Sequence, residues 1–320
     1  MTEKAACGKT DSAKTCSPLK YLHLGPGLSA HLSEKGRGRI MKLFQYYDEE
    51  QQVHVGAVIK DAYVALPKAV TMTDLLGKSS EDLEKMVAAW ECAPLEEAEI
   101  RFAPVVTDPE KIICIGLNYN EHIDETGLGK NDKPGFPPVF CKYGNSLLGH
   151  KQELHLPKKA KQFDYEAELV IVMGDTCKEV TPEDAPRYIA GFAAGNDFSA
   201  RDMQFASSQW TLGKACDGFA PVGPFFVPRD EVNPDKLDIS CKVNGEYVQR
   251  SNTSKMIFSC AEIVSYLSDF IRLKKGDLIF TGTPSGVILG KEKSQQVWLK
   301  AGDVVTVKIE GLGTLENKLV

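Results

Sequence analysis

The sequence lacks the features that mark several large classes of protein. No apolar run approaches the roughly 20 residues that a helix needs to cross a bilayer. There is no internal repeat, no G-x-G-x-x-G fingerprint and no G-x-x-x-x-G-K-[ST] phosphate loop. A net charge of −6 gives no reason to expect a nucleic-acid or membrane partner. The sequence therefore does not predict an integral membrane protein.

Paired cysteine motifs are also missing. None of the nine cysteines forms a C-x-x-C pair, and several lie in apolar runs such as residues 111–115. This pattern predicts buried thiols in a reducing compartment, and it disfavours a disulfide framework or a zinc site.

The first forty residues differ from the rest of the chain. They carry seven lysines and arginines against three acidic residues, and they show no hydrophobic periodicity. A mitochondrial transit peptide and a disordered extension both fit this composition. Met41 begins a strand-like run and is where we expect the folded part to start.

A small N-terminal domain is predicted over residues 41–105. Short strands are expected over Met41–Tyr47, Val53–Ile59 and Ala62–Leu66, and a helix over Thr73–Trp90. The connecting stretch that follows contains three prolines, which places a domain boundary near residue 105.

The second domain, residues 106–320, is rich in strand signals and poor in helix signals. Asn244-Gly245, between apolar residues, predicts a hairpin with a type I′ turn. Helices are expected after Asn118, near Pro182–Tyr188 and over Cys260–Phe270. Strands are expected over Lys111–Ile115, Val139–Lys142, Ala167–Met173, Phe219–Val227, Leu237–Val243, Asp277–Thr281 and Asp303–Ile309. The predicted fold class is mostly β (α+β), with peripheral helices.

Two glutamates at the start of an apolar run suggest a metal site. Glu166 and Glu168 precede a buried strand, and residues i and i+2 of a strand point to one face. Neighbouring carboxylates in an apolar region repel each other unless a cation compensates them. The alternative is that this end of the strand is exposed and both are surface charges.

Asp197 is the expected third ligand, because it ends an apolar run of small residues. Ligation by carboxylates alone selects hard cations, Mg²⁺ first and Mn²⁺ or Ca²⁺ as alternatives. About three octahedral positions then stay open, which suits a substrate that chelates through two oxygens.

An acid–base pair is predicted at the start of a helix. His122 and Glu125 are three residues apart, so they share a helical face and can form a hydrogen bond. A carboxylate that orients an imidazole is a common general-base arrangement, although the same spacing also occurs on solvated helices.

Three cations and one loop are candidates for anion binding. Lys142, Arg201 and Lys214 lie in apolar or glycine-rich surroundings, so each could hold a substrate carboxylate or neutralise the acidic site. Residues 281–286 follow a strand and could offer donors to an anion, or form only a tight turn.

Seven motifs follow one another over about residues 105–320. They are Gly116-Leu-Asn-Tyr-Asn-Glu-His-Ile-Asp-Glu125, Phe140-Cys-Lys-Tyr-Gly-Asn-Ser146, Asp164-Tyr-Glu-Ala-Glu-Leu-Val170, Asn196-Asp-Phe-Ser-Ala-Arg-Asp202, Trp210-Thr-Leu-Gly-Lys214, Ser251-Asn-Thr-Ser-Lys-Met-Ile-Phe258 and Phe280-Thr-Gly-Thr-Pro-Ser-Gly286. Together, and in this order, they resemble the fumarylacetoacetate hydrolase family. The N-terminal strands are most similar to its subgroup called fumarylacetoacetate hydrolase domain-containing protein 2.

The resemblance implies a mixed β-sandwich roll, a homodimer, and Mg²⁺ or Mn²⁺ held at the positions of the three carboxylates. It makes His122 and Glu125 the catalytic dyad and Lys214 a contact to substrate. The remaining substrate contacts would be Lys142, Arg201, Gln204 and Thr283. Relatives with acylpyruvate activity often carry Arg where this chain has Leu117.

The resemblance also implies a reaction class. Family members act on 2-oxo acids with a second carbonyl group, through a metal-stabilised enolate. Oxaloacetate keto–enol tautomerisation is the leading expectation. The alternatives are acylpyruvate or fumarylacetoacetate-type hydrolysis of a C–C bond, oxaloacetate decarboxylation, and a non-enzymatic metal-binding protein on the same fold. We expect a mitochondrial location, with the cytoplasm as the alternative.

Overall fold

A computed structural model describes residues 41–126 and 135–320 of the chain. The leader expected over residues 1–40 lies outside these ranges. No helix within them is long and apolar enough to cross a membrane.

The N-terminal part forms a five-stranded antiparallel sheet in the order β4-β3-β2-β1-β5. The strands predicted between residues 41 and 66 are present. The bounds are β1 Lys42–Tyr47, β2 Val53–Ile59, β3 Ala62–Ala65, β4 Ala93–Leu95 and β5 Arg101–Ala103. The domain boundary near residue 105 stays a prediction.

The single helix predicted over Thr73–Trp90 is wrong. The structure has two helices, α1 Met72–Leu75 and α2 Ser80–Ala89, each with its own N-cap, Thr71 and Ser79. The chain turns between them at Gly77, where φ is +85°. Glycine adopts this conformation at little cost, so the helix ends there despite the apolar periodicity.

A six-stranded mixed sheet forms the centre, in the order β15-β12-β11-β18-β6-β7. Within it β18 runs parallel to β6, and β11 lies antiparallel to β12 and β18. The bounds are β6 Ile112–Ile115, β7 Val139–Lys142, β11 Ala167–Met173, β12 Ile189–Asn196, β15 Val227–Pro228 and β18 Leu278–Phe280.

A second five-stranded sheet has the order β17-β16-β19-β20-β9. Its hairpin turns at Asn244 and Gly245, with φ values of 51° and 89°, as the type I′ prediction requires. The bounds are β9 Glu153–Leu154, β16 Asp238–Val243, β17 Glu246–Asn252, β19 Val304–Ile309 and β20 Gly313–Leu319.

Short elements complete the fold. The strand predicted over Phe219–Val227 is wrong, because only residues at its two ends pair. The helices expected after Asn118 and over Cys260–Phe270 are present. The short strands are β8 Leu147–Leu148, β10 Phe163–Asp164, β13 Ser199–Ala200 and β14 Ala220–Pro221. The helices are α3 Asn120–Thr126, α4 Arg201–Gln204, α5 Thr211–Lys214 and α6 Cys260–Phe270, with 3-10 turns at Glu97–Glu99, Gly144–Ser146, Ala185–Tyr188, Thr253–Lys255 and Lys293–Gln295.

Strand β11 is buried on both faces. Val170 lies in one core with Leu43 of the N-terminal sheet, and Leu169 lies in the other with Val307 of the second five-stranded sheet. Side chains that leave the end of β11 therefore enter enclosed space. The architecture is mostly β with few helices, as the sequence predicts.

Candidate metal and acid–base site

Three carboxylates converge where β11 begins and β12 ends. These strands pair with Ala167 opposite Asn196, which brings Glu166 and Glu168 beside Asp197. One carboxylate oxygen from each of the three lies within 4.8 Å of the others. The three residues are only 5%, 1% and 1% exposed, so the alternative of surface charges is wrong.

Backbone contacts fix this junction. The Asp197 N–H donates to the Glu166 carbonyl at 2.9 Å, and the Glu166 N–H donates to the Asn196 side chain at 2.9 Å. The carboxylates are thus placed by the pairing of the strands.

Lys214 lies between two of the carboxylates. Its Nζ is 2.7 Å from Oε2 of Glu166 and 2.8 Å from Oδ2 of Asp197. Burial alone would lower the pKa of Lys214, but the charges of Asp197 and Glu166 outweigh burial and raise it. The ammonium therefore stays charged at neutral pH.

Arg201 connects a fourth carboxylate, that of Asp164, to the site through hydrogen bonds. Its Nε donates to Asp164 at 2.9 Å and its Nη2 donates to Glu166 at 2.7 Å. Burial would raise the pKa of Glu166, but Lys214 and Arg201 outweigh burial and hold it well below its ordinary value. Gln204 accepts a hydrogen bond from Arg201 at 2.9 Å through Oε1, which leaves Nε2 as its donor.

Lys142 lies deeper than the other two cations. Its Nζ donates to the carbonyls of Phe198, Lys214 and Phe219 and lies 2.5 Å from Oδ1 of Asp197. These contacts favour the neutralising role for Lys142. A direct substrate contact by Lys142 stays an untested prediction.

Seven residues form what we call the buried charge cluster: Asp164, Glu166, Glu168, Asp197, Lys142, Arg201 and Lys214. Four carboxylates face three cations, so one negative charge has no counterpart within the cluster. Burial raises the pKa of Glu168 well above its ordinary value, and the charges of Asp197 and Glu166 add to this effect. Glu168 is the carboxylate that most needs a cation.

The donor atoms fit a hard divalent cation. Among the described residues, Oδ1 of Asp197 is buried without a hydrogen-bond donor of suitable geometry, although the Lys142 ammonium is close. Glu168 accepts a backbone N–H, from Gly282, at 2.8 Å. Carboxylate oxygens are the ligands that Mg²⁺ and Mn²⁺ prefer, and an oxygen without a hydrogen-bond donor is free to bind the cation.

His122 and Glu125 lie together on α3. Nδ1 of His122 is 2.9 Å from Oε1 of Glu125, and Oε2 of Glu125 accepts the Gly286 N–H at 2.8 Å. Because an ionised carboxylate only accepts, Nδ1 carries a proton and Nε2 can take up another.

A cavity joins His122 of the dyad to Glu166 and Glu168. Leu117, at the position noted for its departure from the family pattern, contributes to its apolar wall. The polar side chains that line the cavity are His122, Glu166, Glu168, Arg201, Gln204, Lys214 and Thr283. Apart from Asp197, Glu125 and Lys142, every residue predicted for the site therefore borders one space.

Thr283 has two hydrogen-bond partners in the protein. Its hydroxyl donates to the Ala167 carbonyl at 2.9 Å and accepts from Gln249 at 2.9 Å. The loop over residues 281–286 also gives N–H groups to Glu168 and Glu125. This loop is therefore part of the site, and its donors bind the protein's own carboxylates.

Sequence reasoning missed two side chains that support the site. Asp164 is fully buried and accepts from Arg201 and from the N–H groups of Ile288 and Leu289. Gln249 bonds the Ala167 N–H from a different sheet. Asp164 lies inside one of the seven motifs, but no local sequence pattern marks Gln249.

Comparison with known proteins identifies relatives along most of the chain. Oxaloacetate tautomerase Fahd2a, mitochondrial, from Rattus norvegicus is 35% identical over 310 residues, 96% of this chain and 94% of that protein. A Dictyostelium discoideum protein named fumarylacetoacetate hydrolase domain-containing protein 2 homolog is 45% identical over 237 residues, 71% of this chain and 75% of that protein. The predicted similarity to this subgroup is confirmed.

A solved structure supports the fold and the metal chemistry. Fumarylpyruvate hydrolase from Pseudomonas aeruginosa, in complex with Mn²⁺ and pyruvate, matches with a TM-score of 0.61 and 34% identity. The match covers 68% of this chain and 96% of that chain. The family model described as fumarylacetoacetate (FAA) hydrolase C-terminal matches residues 111–320. This chain belongs to the fumarylacetoacetate hydrolase family.

Proposed function

We propose that this chain is a divalent-metal-dependent enzyme that interconverts the enol and keto forms of oxaloacetate. The observation that supports the proposal is one cavity, bordered by His122 and by Glu166 and Glu168. Glu125 orients the histidine. The two glutamates form a carboxylate trio with Asp197. The name of the rat relative, which contains oxaloacetate tautomerase, supports this substrate.

The charge of the site supports an anionic substrate. The buried charge cluster has one uncompensated negative charge, so a bound divalent cation would give it a net charge of +1. Oxaloacetate carries two carboxylates at neutral pH. Lys214 and Arg201 line the cavity and already contact carboxylates, so they are the residues that we propose to hold those of the substrate.

Glu166, Glu168 and Asp197 would hold the cation, which when bound would act as a Lewis acid on the 2-oxo group. His122 would then move the proton. Its Nε2 takes a proton from C3 of the keto form and returns one to the C2 oxygen, or the reverse. Glu125 holds the proton on Nδ1 and stabilises the imidazolium that forms.

Cleavage of a C–C bond is the second candidate. The observation that favours it is the neighbouring structure of fumarylpyruvate hydrolase with Mn²⁺ and pyruvate. The same cavity could accept an acylpyruvate, with His122 activating a water molecule. Loss of CO₂ from oxaloacetate is a third outcome of the same substrate binding.

One assay on two substrates separates these reactions. With enol-oxaloacetate and Mg²⁺, a tautomerase accelerates the loss of ultraviolet absorbance of the enol and releases no CO₂. A decarboxylase releases CO₂ and pyruvate from oxaloacetate, and a hydrolase releases pyruvate from an acylpyruvate. Wild-type protein that accelerates none of these reactions would contradict the enzymatic proposal.

We also propose Mg²⁺ as the physiological cation, a homodimer as the assembly and the mitochondrion as the location. The all-carboxylate donor set supports Mg²⁺, and the name of the rat relative includes the mitochondrion. Metal analysis of the protein purified from its source, light scattering in solution and cell fractionation test these three points.

A further inference from the structure

Gln249 is a buried amide on a strand whose other residues are exposed or half-buried. It is 2% exposed, and it is the one fully buried residue of β17, an edge strand of the second five-stranded sheet. A strand position that faces a core usually carries an apolar side chain, because a buried amide is costly unless it is hydrogen-bonded. The contacts of Gln249 therefore explain its presence.

Those contacts surround Ala167, the residue between the two glutamates. Oε1 of Gln249 accepts the Ala167 N–H at 3.0 Å, and its Nε2 donates to Oγ1 of Thr283 at 2.9 Å. The Thr283 hydroxyl donates in turn to the Ala167 carbonyl at 2.9 Å. We call this closed circuit of three residues the Ala167 hydrogen-bond ring.

The ring fixes the backbone on both sides of Ala167. Ala167 separates Glu166 from Glu168, so its N–H belongs to the peptide group that it shares with Glu166. Its carbonyl belongs to the peptide group that it shares with Glu168. Rotation of either group would turn one of the two carboxylates away from the other.

The same amide also supports the loop over residues 281–286. A second hydrogen bond from Nε2 of Gln249 reaches the Pro284 carbonyl at 2.8 Å. This loop gives the Gly282 N–H to Glu168 and the Gly286 N–H to Glu125. One side chain therefore contacts the strand that carries the trio and the loop that touches both the trio and the dyad.

We propose that Gln249 is a positioning residue that sets the separation and orientation of Glu166 and Glu168, and with them the affinity of the site for a divalent cation. This inference rests on the proposed metal-dependent function. Groups that orient metal ligands without touching the metal affect metal affinity by roughly 10- to 100-fold.

The test compares Mn²⁺ binding by isothermal titration calorimetry in wild type and in Gln249→Met. Methionine has a similar length and volume but cannot take part in the ring. The expected result is a Kd for Mn²⁺ that is roughly 10- to 100-fold higher in the variant than in wild type. The electron paramagnetic resonance spectrum of the bound Mn²⁺ should also broaden, because the ligands are less well ordered.

Asn317→Leu is the matched control. Asn317 is also 2% exposed, and its amide donates to two backbone carbonyls, those of Gly149 and Gln152, both at 2.9 Å. It lies on β20 and has no contact with the trio. We expect this variant to lose thermal stability but to bind Mn²⁺ as wild type does.

The outcomes separate this inference from the proposed function. Wild-type protein that does not bind Mn²⁺ overturns the metal-dependent function and this inference with it. If wild type binds Mn²⁺ and Gln249→Met binds it equally well, the positioning role alone is overturned. If Gln249→Met does not fold, Thr283→Val opens the same ring, and the same weakening is expected of it.

Discussion

The Gly286 N–H donates a hydrogen bond of 2.8 Å to Oε2 of Glu125, whose other oxygen contacts His122. Position 286 requires a glycine. Its φ is +107°, and a Cβ there would lie 2.2 Å from the Val248 carbonyl oxygen. Glu125 is therefore held from both sides as an acceptor, which gives the dyad a defined orientation.

Replacement of Glu125 by glutamine tests the orientation of the histidine. In Glu125→Gln the amide can still accept from Gly286, but it then presents its NH₂ group to Nδ1. His122 must shift its proton to Nε2, which is then no longer a base. We expect kcat to fall by roughly 10²- to 10⁴-fold, with an unchanged Kd for Mn²⁺.

Glu121→Gln is the matched control for this variant. Glu121 lies on the same helix, is half exposed and pairs with Lys255 at 2.8 Å. It should retain wild-type kcat. Equal loss of activity in both variants would contradict the role of Glu125.

Neutralisation of each of the two glutamates of the trio should affect stability differently. Glu168→Gln removes a charge that has no cation partner in the cluster, so the metal-free variant should melt at or above the wild-type temperature. It should also lose the rise in melting temperature that Mn²⁺ causes in wild type.

Glu166→Gln is expected to destabilise the metal-free protein. It breaks ion pairs with Arg201 and Lys214, both at 2.7 Å, and loss of one partner of a buried pair costs about 3–5 kcal/mol. Thermal melts with and without Mn²⁺ measure both variants. Equal destabilisation of the two would contradict this view of the cluster.

Lys214→Met should separate metal binding from substrate binding. Lys214 contacts Glu166 and Asp197, two proposed ligands, so its removal frees two oxygens and takes away a repelling charge. We expect a lower Kd for Mn²⁺ and a higher KM for oxaloacetate. A higher Kd for Mn²⁺ would contradict this prediction, because it would show that the ammonium holds the ligands in place more than it repels the cation.

His150 gives a pH dependence that is unrelated to activity. Burial, and secondarily the charge of Lys151, lowers its pKa from 6.5 to about 4, and its Nδ1 accepts the Glu316 N–H at 3.0 Å. The unfolded chain therefore binds a proton that the folded chain does not bind between these pH values. This contribution to stability is complete above pH 6.5 and is lost as the pH falls toward 4, by up to about 3 kcal/mol.

His150→Asn keeps an acceptor for the Glu316 N–H and removes the titration. Urea unfolding as a function of pH should give a shallower fall in unfolding free energy for the variant between pH 6.5 and 4. Parallel curves for variant and wild type would show that His150 does not contribute this term.

Local periodicity explains how much of the site could be predicted. The two-residue repeat of a strand places Glu166 beside Glu168, and the three-residue spacing on a helix places His122 beside Glu125. These geometries depend on neighbours in sequence, so a single sequence is sufficient for them.

The support of the site depends on packing between distant segments. Gln249 reaches Ala167 only because two sheets pack together, and no local pattern marks such a contact. The role of Lys142, which neutralises the site from inside the protein, likewise depends on how deeply the fold buries it. The break at Gly77 shows the opposite limit, where the conformation of one glycine overrides a clear apolar repeat.

The initial rate of enol-oxaloacetate loss, measured as Mg²⁺ is titrated into metal-free protein, tests whether the cation and the dyad act in one reaction. We predict a rate that rises and saturates with Mg²⁺ in wild type. It should stay at the uncatalysed value in Glu168→Ala and in His122→Ala. A wild-type rate that does not depend on Mg²⁺, or that is retained in both variants, would rule out metal-dependent tautomerisation by these residues.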